Sequence, residues 1–164
     1  MSVWNVLGAI ARHPLRFVLS RWNWKAGLVS ATMRGTIFFL TALGGGLAIA
    51  ARTLLVDAAF RVPLSGACAA VIQEIRWARP AWAALTVALV AVPIASHAIE
   101  IAVHWFARTP WLWHGVSISA VLSIVSSAAE FLLMRRQIFL VGPEGASLAT
   151  DVRRLLHIVG WRTA

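Results

Sequence analysis

The residues best placed for chemistry are His97-Ala-Ile-Glu100-Ile-Ala-Val-His104. On an α-helix, positions i, i+3 and i+7 share one face, so two imidazoles and a carboxyl point the same way. Such a face can ligate a metal, relay protons or hold a quinone. Pro93 lies four residues before His97, where it should kink the helix and free a carbonyl. The pattern is not the HExxH of zinc proteases. A carboxylate-bridged di-iron bundle needs Glu-x-x-His pairs and further glutamates, and here Glu130 alone remains, nearer the inner face. His104 and His114, reflected about Thr109, stand level on adjacent antiparallel helices, as bis-histidine haem ligation requires. Any metal or haem would therefore fall on His97, Glu100, His104 and His114. Two interfacial histidines among tryptophans are ordinary, however, and no cofactor is expected.

A second set is Arg34, Asp57, Arg61, His97 and Glu100. Reflection about Gly44-Gly45-Gly46 puts Arg34 level with Asp57. Reflection about a turn near Ala78 puts Asp57 within one residue of Glu100. Asp57 and Arg61 are spaced i, i+4 on one face. These groups would then share one depth inside a bilayer, where ionisable side chains are costly unless they neutralise one another. The expected role is a clasp joining three helices; the competing role is a path for protons, ions or a substrate.

The elements that must position these residues follow from composition. The chain has 164 residues, 60% hydrophobic and 13% charged, with nine tryptophans and a mean hydropathy of +0.77. Soluble domains carry roughly 25% charged residues, so this chain lacks the polar groups to cover a soluble surface. Disorder is excluded by the same apolar content. Cys68 is the single cysteine, which excludes a disulfide framework. Fourteen arginines against one lysine in an Ala-rich chain suggest a GC-rich bacterial genome.

Uncharged runs cover 35–51, 80–99 and 109–129, and a fourth apolar stretch, 53–75, is broken by Asp57, Arg61 and Pro63. About 20 helical residues cross a hydrocarbon core, and backbone groups in lipid must bond internally. The fold expected is all-α: a bundle of four transmembrane helices near 25–43, 47–75, 81–106 and 111–134, forming one membrane domain over 1–164. The first turn is read at Gly44–Gly46; the alternative keeps 35–51 as one span and turns near Arg52–Asp57. Eleven of the 15 basic residues precede the first span, separate the second from the third, or follow the fourth. The positive-inside rule then makes both termini cytoplasmic in a bacterial inner membrane. That distribution weakens the nucleic-acid reading of the charge, and no nucleic-acid partner is expected.

Residues 1–24 carry charge throughout and contain no signal-peptide core. They read as an interfacial amphipathic segment, with Trp4, Leu7, Leu15, Val18 and Trp22 against Arg12, Arg16 and Arg21, broken at Pro14. The cytoplasmic tail, 137–164, turns at Gly142–Gly145. It then forms a short helix with Leu148, Val152, Leu155, Leu156 and Val159 as a stripe for head groups or a partner. Trp22, Trp24, Trp77 and Trp82 belong at the inner interface, and Trp105, Trp111 and Trp113 at the outer one. Ser119, Ser123 and Ser127, and more weakly Ala31 and Gly35, are small residues suited to close helix packing. No catalytic set is visible. The function expected is that of a structural or accessory component of a membrane assembly, with lipid and other subunits or a second copy as partners. A proton-coupled carrier or ion pathway is the alternative, and a redox protein the third reading.

If Arg34 and Asp57 form the clasp, Asp57→Asn and Arg34→Gln should each lower the melting temperature in detergent. The double variant should lose less than the sum, and additive losses would exclude contact.

Overall fold

The computed structural model describes residues 1–106, 112–158 and 160, apart from the side chains at 34, 37, 38, 41, 42, 53, 56, 57, 100, 103–106, 112–119 and 121. Among the described residues the architecture is all-α. The helices are α1 (Val3–Arg12), α2 (Pro14–Arg21), α3 (Trp24–Ala42), α4 (Leu47–Ile75), α5 (Ala81–Thr86), α6 (Val92–Phe106), α7 (Leu112–Arg135) and α8 (Leu148–Ile158). Four long helical stretches lie close to the ranges expected, with the uncharged run 35–51 straddling the turn between α3 and α4. One stretch, Ala81–Ile99, is long and apolar enough to cross a membrane by the criteria of length and charge applied to the described residues.

The breaks between helices have local causes. Proline opens α2, where its missing N–H costs nothing. Asn23 caps α3 by accepting the Ala26 N–H at 3.1 Å. Between α3 and α4 a short 3-10 turn, Leu43–Gly45, leads to Gly46 at φ +100°. Only glycine adopts that backbone readily, so the glycine turn is the one the chain uses. Pro63 lies inside α4, which runs through it.

Ahead of Pro93, a π turn over Val87–Ala91 joins α5 to α6, and the Val92 N–H reaches back to the Val87 carbonyl. The wider turn accommodates a ring that would strike the carbonyl four residues back in a regular helix.

The chain divides into two compact units, Met1–Leu15 with Val71–Arg136, and Arg16–Ala70 with Gln137–Ala164. In the first, α6 and α7 pack together, and Ser123 and Ser127 of the expected serine row are buried. The chain start is tied to the segment before α5: the Val3 N–H donates to the Arg79 carbonyl and the Arg79 N–H to the Met1 carbonyl, both at 2.9 Å. Val3 and Val6 are buried, whereas Trp4 is exposed. The protein-facing side of α1 is therefore the valine pair, which the Trp4/Leu7 stripe does not include.

In the second unit, α3 and α4 form a hairpin of close backbone approach. A Cβ added to Gly27 would lie 2.8 Å from the Val62 carbonyl oxygen, and one on Gly35 would lie 2.5 Å from Leu54 Cδ1. Ala31, between them at four-residue spacing, is buried. Ser65 donates across the hairpin to Ser30 at 3.1 Å. Trp22 closes the open end, its indole N–H donating to the Pro63 carbonyl at 3.2 Å. Its ring lies over Gly66, where a Cβ would be 2.0 Å from Nε1. Small residues let the two backbones meet, as expected for Ala31 and Gly35, but the stripe extends further, to Gly27 and Gly66.

Gly27→Ala should therefore lower the melting temperature in mild detergent by the equivalent of about 1–3 kcal/mol. Gly8→Ala, with nothing within 4 Å of its Cβ, should be neutral or slightly stabilising. Equal shifts for the two would count against backbone contact at Gly27.

Candidate functional site

The most fully described polar site is one that composition does not announce: Asn23, Lys25 and Asp151, all in the second unit. Each is almost wholly buried, at 0%, 3% and 0% exposure. Lys25 stands in the first turn of α3, fixed by the Asn23 cap. Its Nζ donates to Asp151 Oδ2 at 2.7 Å and also to the Ala146 carbonyl. Asp151 stands in the first turn of α8, where the positive end of the helix dipole favours a carboxylate. Ser147 starts that helix by accepting the Thr150 N–H on its hydroxyl at 3.2 Å.

Asn23 binds in three directions. Its N–H donates to the Gly66 carbonyl at 3.1 Å, its Nδ2 donates to the Phe139 carbonyl at 2.9 Å, and its Oδ1 takes the Ala26 N–H. Arg154 adds an outer bond, donating to the Gln137 carbonyl at 3.2 Å. The tail is thus seated on the start of α3, and α8 turns Asp151 inward, with Leu148, Leu155 and Leu156 half-buried. Val152, which belongs to the stripe expected to meet head groups or a partner, is exposed with Arg153 and Arg154, and Val159 lies outside the described residues. Lys25, one of the basic residues that precede the first expected span, is the buried partner.

Chemically this is a charge-assisted clasp. The ammonium has its counter-ion and a carbonyl. Asp151 Oδ1 is buried without a hydrogen bond among the described residues. The signal in the sequence was slight: an acid lying between Leu148 and Leu155 on the apolar side of a short helix, and a lone lysine among arginines.

The expected intramembrane set is described only in part. Arg61 of α4 is buried in the second unit, its guanidinium 5.5 Å from the Phe60 ring. His97 of α6 is buried in the first. Arg34 falls on α3, Asp57 on α4, Glu100 and His104 on α6, and His114 on α7. The side chains of these five lie outside the described residues. Helix α6 contains His97, Glu100 and His104, so their one-face register holds at the level of the backbone. Among the described residues no three His, Cys, Asp or Glu side chains gather as metal ligands.

Trp22, Trp24, Trp77 and Trp82, expected at the inner interface, are all exposed by more than a third. Trp77 carries the Arg135 guanidinium 4.9 Å above its ring, a cation–π contact at the end of α7. The structure of Trp111 and the side chains of Trp105 and Trp113 lie outside the described residues.

Asp151→Asn should leave Lys25 buried beside a neutral amide, at a cost of about 3–5 kcal/mol. Denaturant titration in detergent should show that loss, and hydrogen exchange should show α8 opening first. Lys25→Met with Asp151→Leu should recover most of the stability. A wild-type midpoint for Asp151→Asn would mean the pair does not hold the tail.

No family model, no curated protein and no solved structure matches the chain.

Proposed function

We propose that this chain is a multi-pass membrane protein with four helical spans and both termini on the cytoplasmic side of a bacterial inner membrane. It works there as a structural or accessory component of a larger assembly. The observation that carries this reading is the outward face of the long helices. Met33, Leu40, Leu47, Ile49 and Leu55 of the α3–α4 hairpin, and Ile94, Val125 and Leu132 of the first unit, are 56% exposed or more. Aliphatic side chains in regular helices facing outward over such lengths suit a hydrocarbon solvent and burden an aqueous one. Only 33% of the Ala81–Ile99 window is buried within the chain, as suits a lipid-facing helix better than a soluble core helix.

Length supports the same reading. The 19 residues of α3 span about 28 Å between the Lys25 end and the glycine turn, close to the ~30 Å thickness of a hydrocarbon core. The accessory role is favoured because the best-formed polar site is a clasp, with its charges spent on each other. The burial of Arg61 and His97 within long helices favours the second reading, an ion or proton pathway, since buried ionisable groups in spans default to function.

Native mass spectrometry of the protein extracted in mild detergent from its own membranes separates the two. The accessory reading expects a non-covalently bound second polypeptide. A bare monomer or homo-oligomer would overturn it and put the pathway forward, to be followed by proton flux in proteoliposomes. A haem- or metal-sized addition would overturn it in favour of ligation by His97, Glu100, His104 and His114.

A further inference from the structure

We propose that Arg135, at the C-terminal end of α7, is a phosphate-binding residue for an anionic phospholipid whose acyl chains lie along the exposed face of the same helix. The proposal rests on the membrane reading above and names the lipid class and the residue that holds it.

The Arg135 side chain is exposed yet held in place. Its guanidinium lies 4.9 Å from the centre of the Trp77 ring and 5.8 Å from that of Phe131. Phe131 stands one turn earlier on α7 and is buried, so the stack rests on a packed base. A helix C-terminus alone welcomes any cation; the two rings fix the position of this one. Contact through the face of the cation leaves its in-plane N–H groups pointing outward. Among the described residues the Arg135 side chain makes no hydrogen bond and no ion pair. A fork of donors that folding has already positioned, and that no carboxylate occupies, matches two oxygens of a phosphate. Much of the side-chain freedom lost on binding is thereby lost beforehand.

The surface leading to this cation is apolar. Val125 and Leu132, two turns apart on α7, are 62% and 60% exposed. Ala129 between them is exposed, and exposed Arg136 follows on the same face. A row of outward aliphatic residues that ends in two arginines has the polarity of a phospholipid, with chains along the row and phosphate at its end. Free phosphate would use the cations alone, and an acidic protein segment would leave the row uncovered. Charge chooses among lipids, because Arg135 and Arg136 repel the choline of a zwitterionic head group and attract a head group of net negative charge. A second copy docking here by symmetry would set these arginines against each other.

The test titrates the full chain in mild detergent with dioleoyl phosphatidylglycerol, dioleoyl phosphatidylcholine and inorganic phosphate, read by native mass spectrometry. The expected result is one phosphatidylglycerol bound several-fold tighter than phosphatidylcholine and not displaced by inorganic phosphate. Arg135→Gln should weaken it about ten-fold, the loss of one charge-assisted pair. Trp77→Leu keeps the charge but frees the guanidinium, and should weaken it about three-fold. Arg135→Lys should fall between Arg135→Gln and the wild type. Arg153→Gln, which removes the same charge from α8, should bind as the wild type does.

Wild-type affinity in Arg135→Gln would overturn the proposal, as would an equal loss in Arg153→Gln or equal affinity for the two lipids. Displacement by inorganic phosphate would overturn it in favour of a soluble anion. A bound polypeptide lost only in Arg135→Gln would overturn it in favour of a protein carboxylate. If melting shows that Arg135→Gln has lost its fold, Trp77→Leu and Arg135→Lys decide. A chain carrying Cys68→Ser and Val90→Cys, spin-labelled at position 90 in phosphatidylglycerol vesicles, separates these outcomes from failure of the membrane reading. If collision with oxygen and a water-soluble nickel complex places that label in water, the membrane reading fails. If the label lies deep while Arg135→Gln keeps wild-type affinity, the phosphate site alone fails.

Discussion

An ammonium and a carboxylate buried together in an apolar chain stand only if each finds the other at good geometry, because either charge alone would be far costlier than the pair. Lys25 and Asp151 meet that condition across 126 residues of sequence. Much of the second unit is arranged to let them do so. The Asn23 cap sets the first turn of α3 and so the direction of Lys25. The same asparagine grips the backbone at Gly66 and Phe139, which fixes the end of the hairpin and the approach of the tail. Gln137 and Phe139 adopt φ of 59° and 60°, a left-handed conformation uncommon for residues with a side chain. The backbone strain of that reversal is tolerated where Ile138, Phe139 and Leu140 are buried and the clasp lies beyond it.

The α3–α4 hairpin solves a different problem by the opposite means. At its charged end the chain uses few, specific polar bonds. Along its length it uses the absence of side chains at Gly27 and Gly66 and the smallness of Ala31 and Ser65. Contacts of that kind yield dispersion energy only when the backbones touch. A helix pair held this way tolerates no added methyl at the contact, but it asks nothing of its outer face. The outer face can therefore be as apolar as the surroundings demand.

Helix positions were legible in the sequence because uncharged runs and glycine or proline punctuation mark them without reference to packing. The glycine turn was legible for the same reason: a backbone requirement shows in the residue type. Ser123 and Ser127 were legible as a packing row because spacing alone puts them on one face. The partnership of Lys25 with Asp151 was not legible, since it depends on a chain reversal at 137–145 that no periodicity encodes. Lys25 counts with the arginines that precede the first span, and nothing in that count marks it as buried and paired. Gly27 and Gly66 escaped for a related reason, as each contacts a residue on the other helix. The Val3 and Val6 face of α1 escaped because the more conspicuous Trp4 and Leu7 offered a rival stripe. The polar register of His97, Glu100 and His104 was legible as far as one helix allows, and what those side chains meet is a matter of neighbours.

The π turn before Pro93 changes how that long helix keeps its faces in phase. Ala84 and Val92, both buried, are eight residues apart, which in an unbroken α-helix puts them about 80° apart around the axis. Looping one extra residue into Val87–Ala91 brings them to within about 20°. The proline and the additional residue are thus a matched pair. Without the ring, the wide turn has no obstacle to clear; without the wide turn, the ring meets the carbonyl of Leu89. A chain that shed one of the five residues would regain a regular helix geometry and leave Pro93 to be absorbed as α4 absorbs Pro63, so the length of this segment and the identity of position 93 bear on one another.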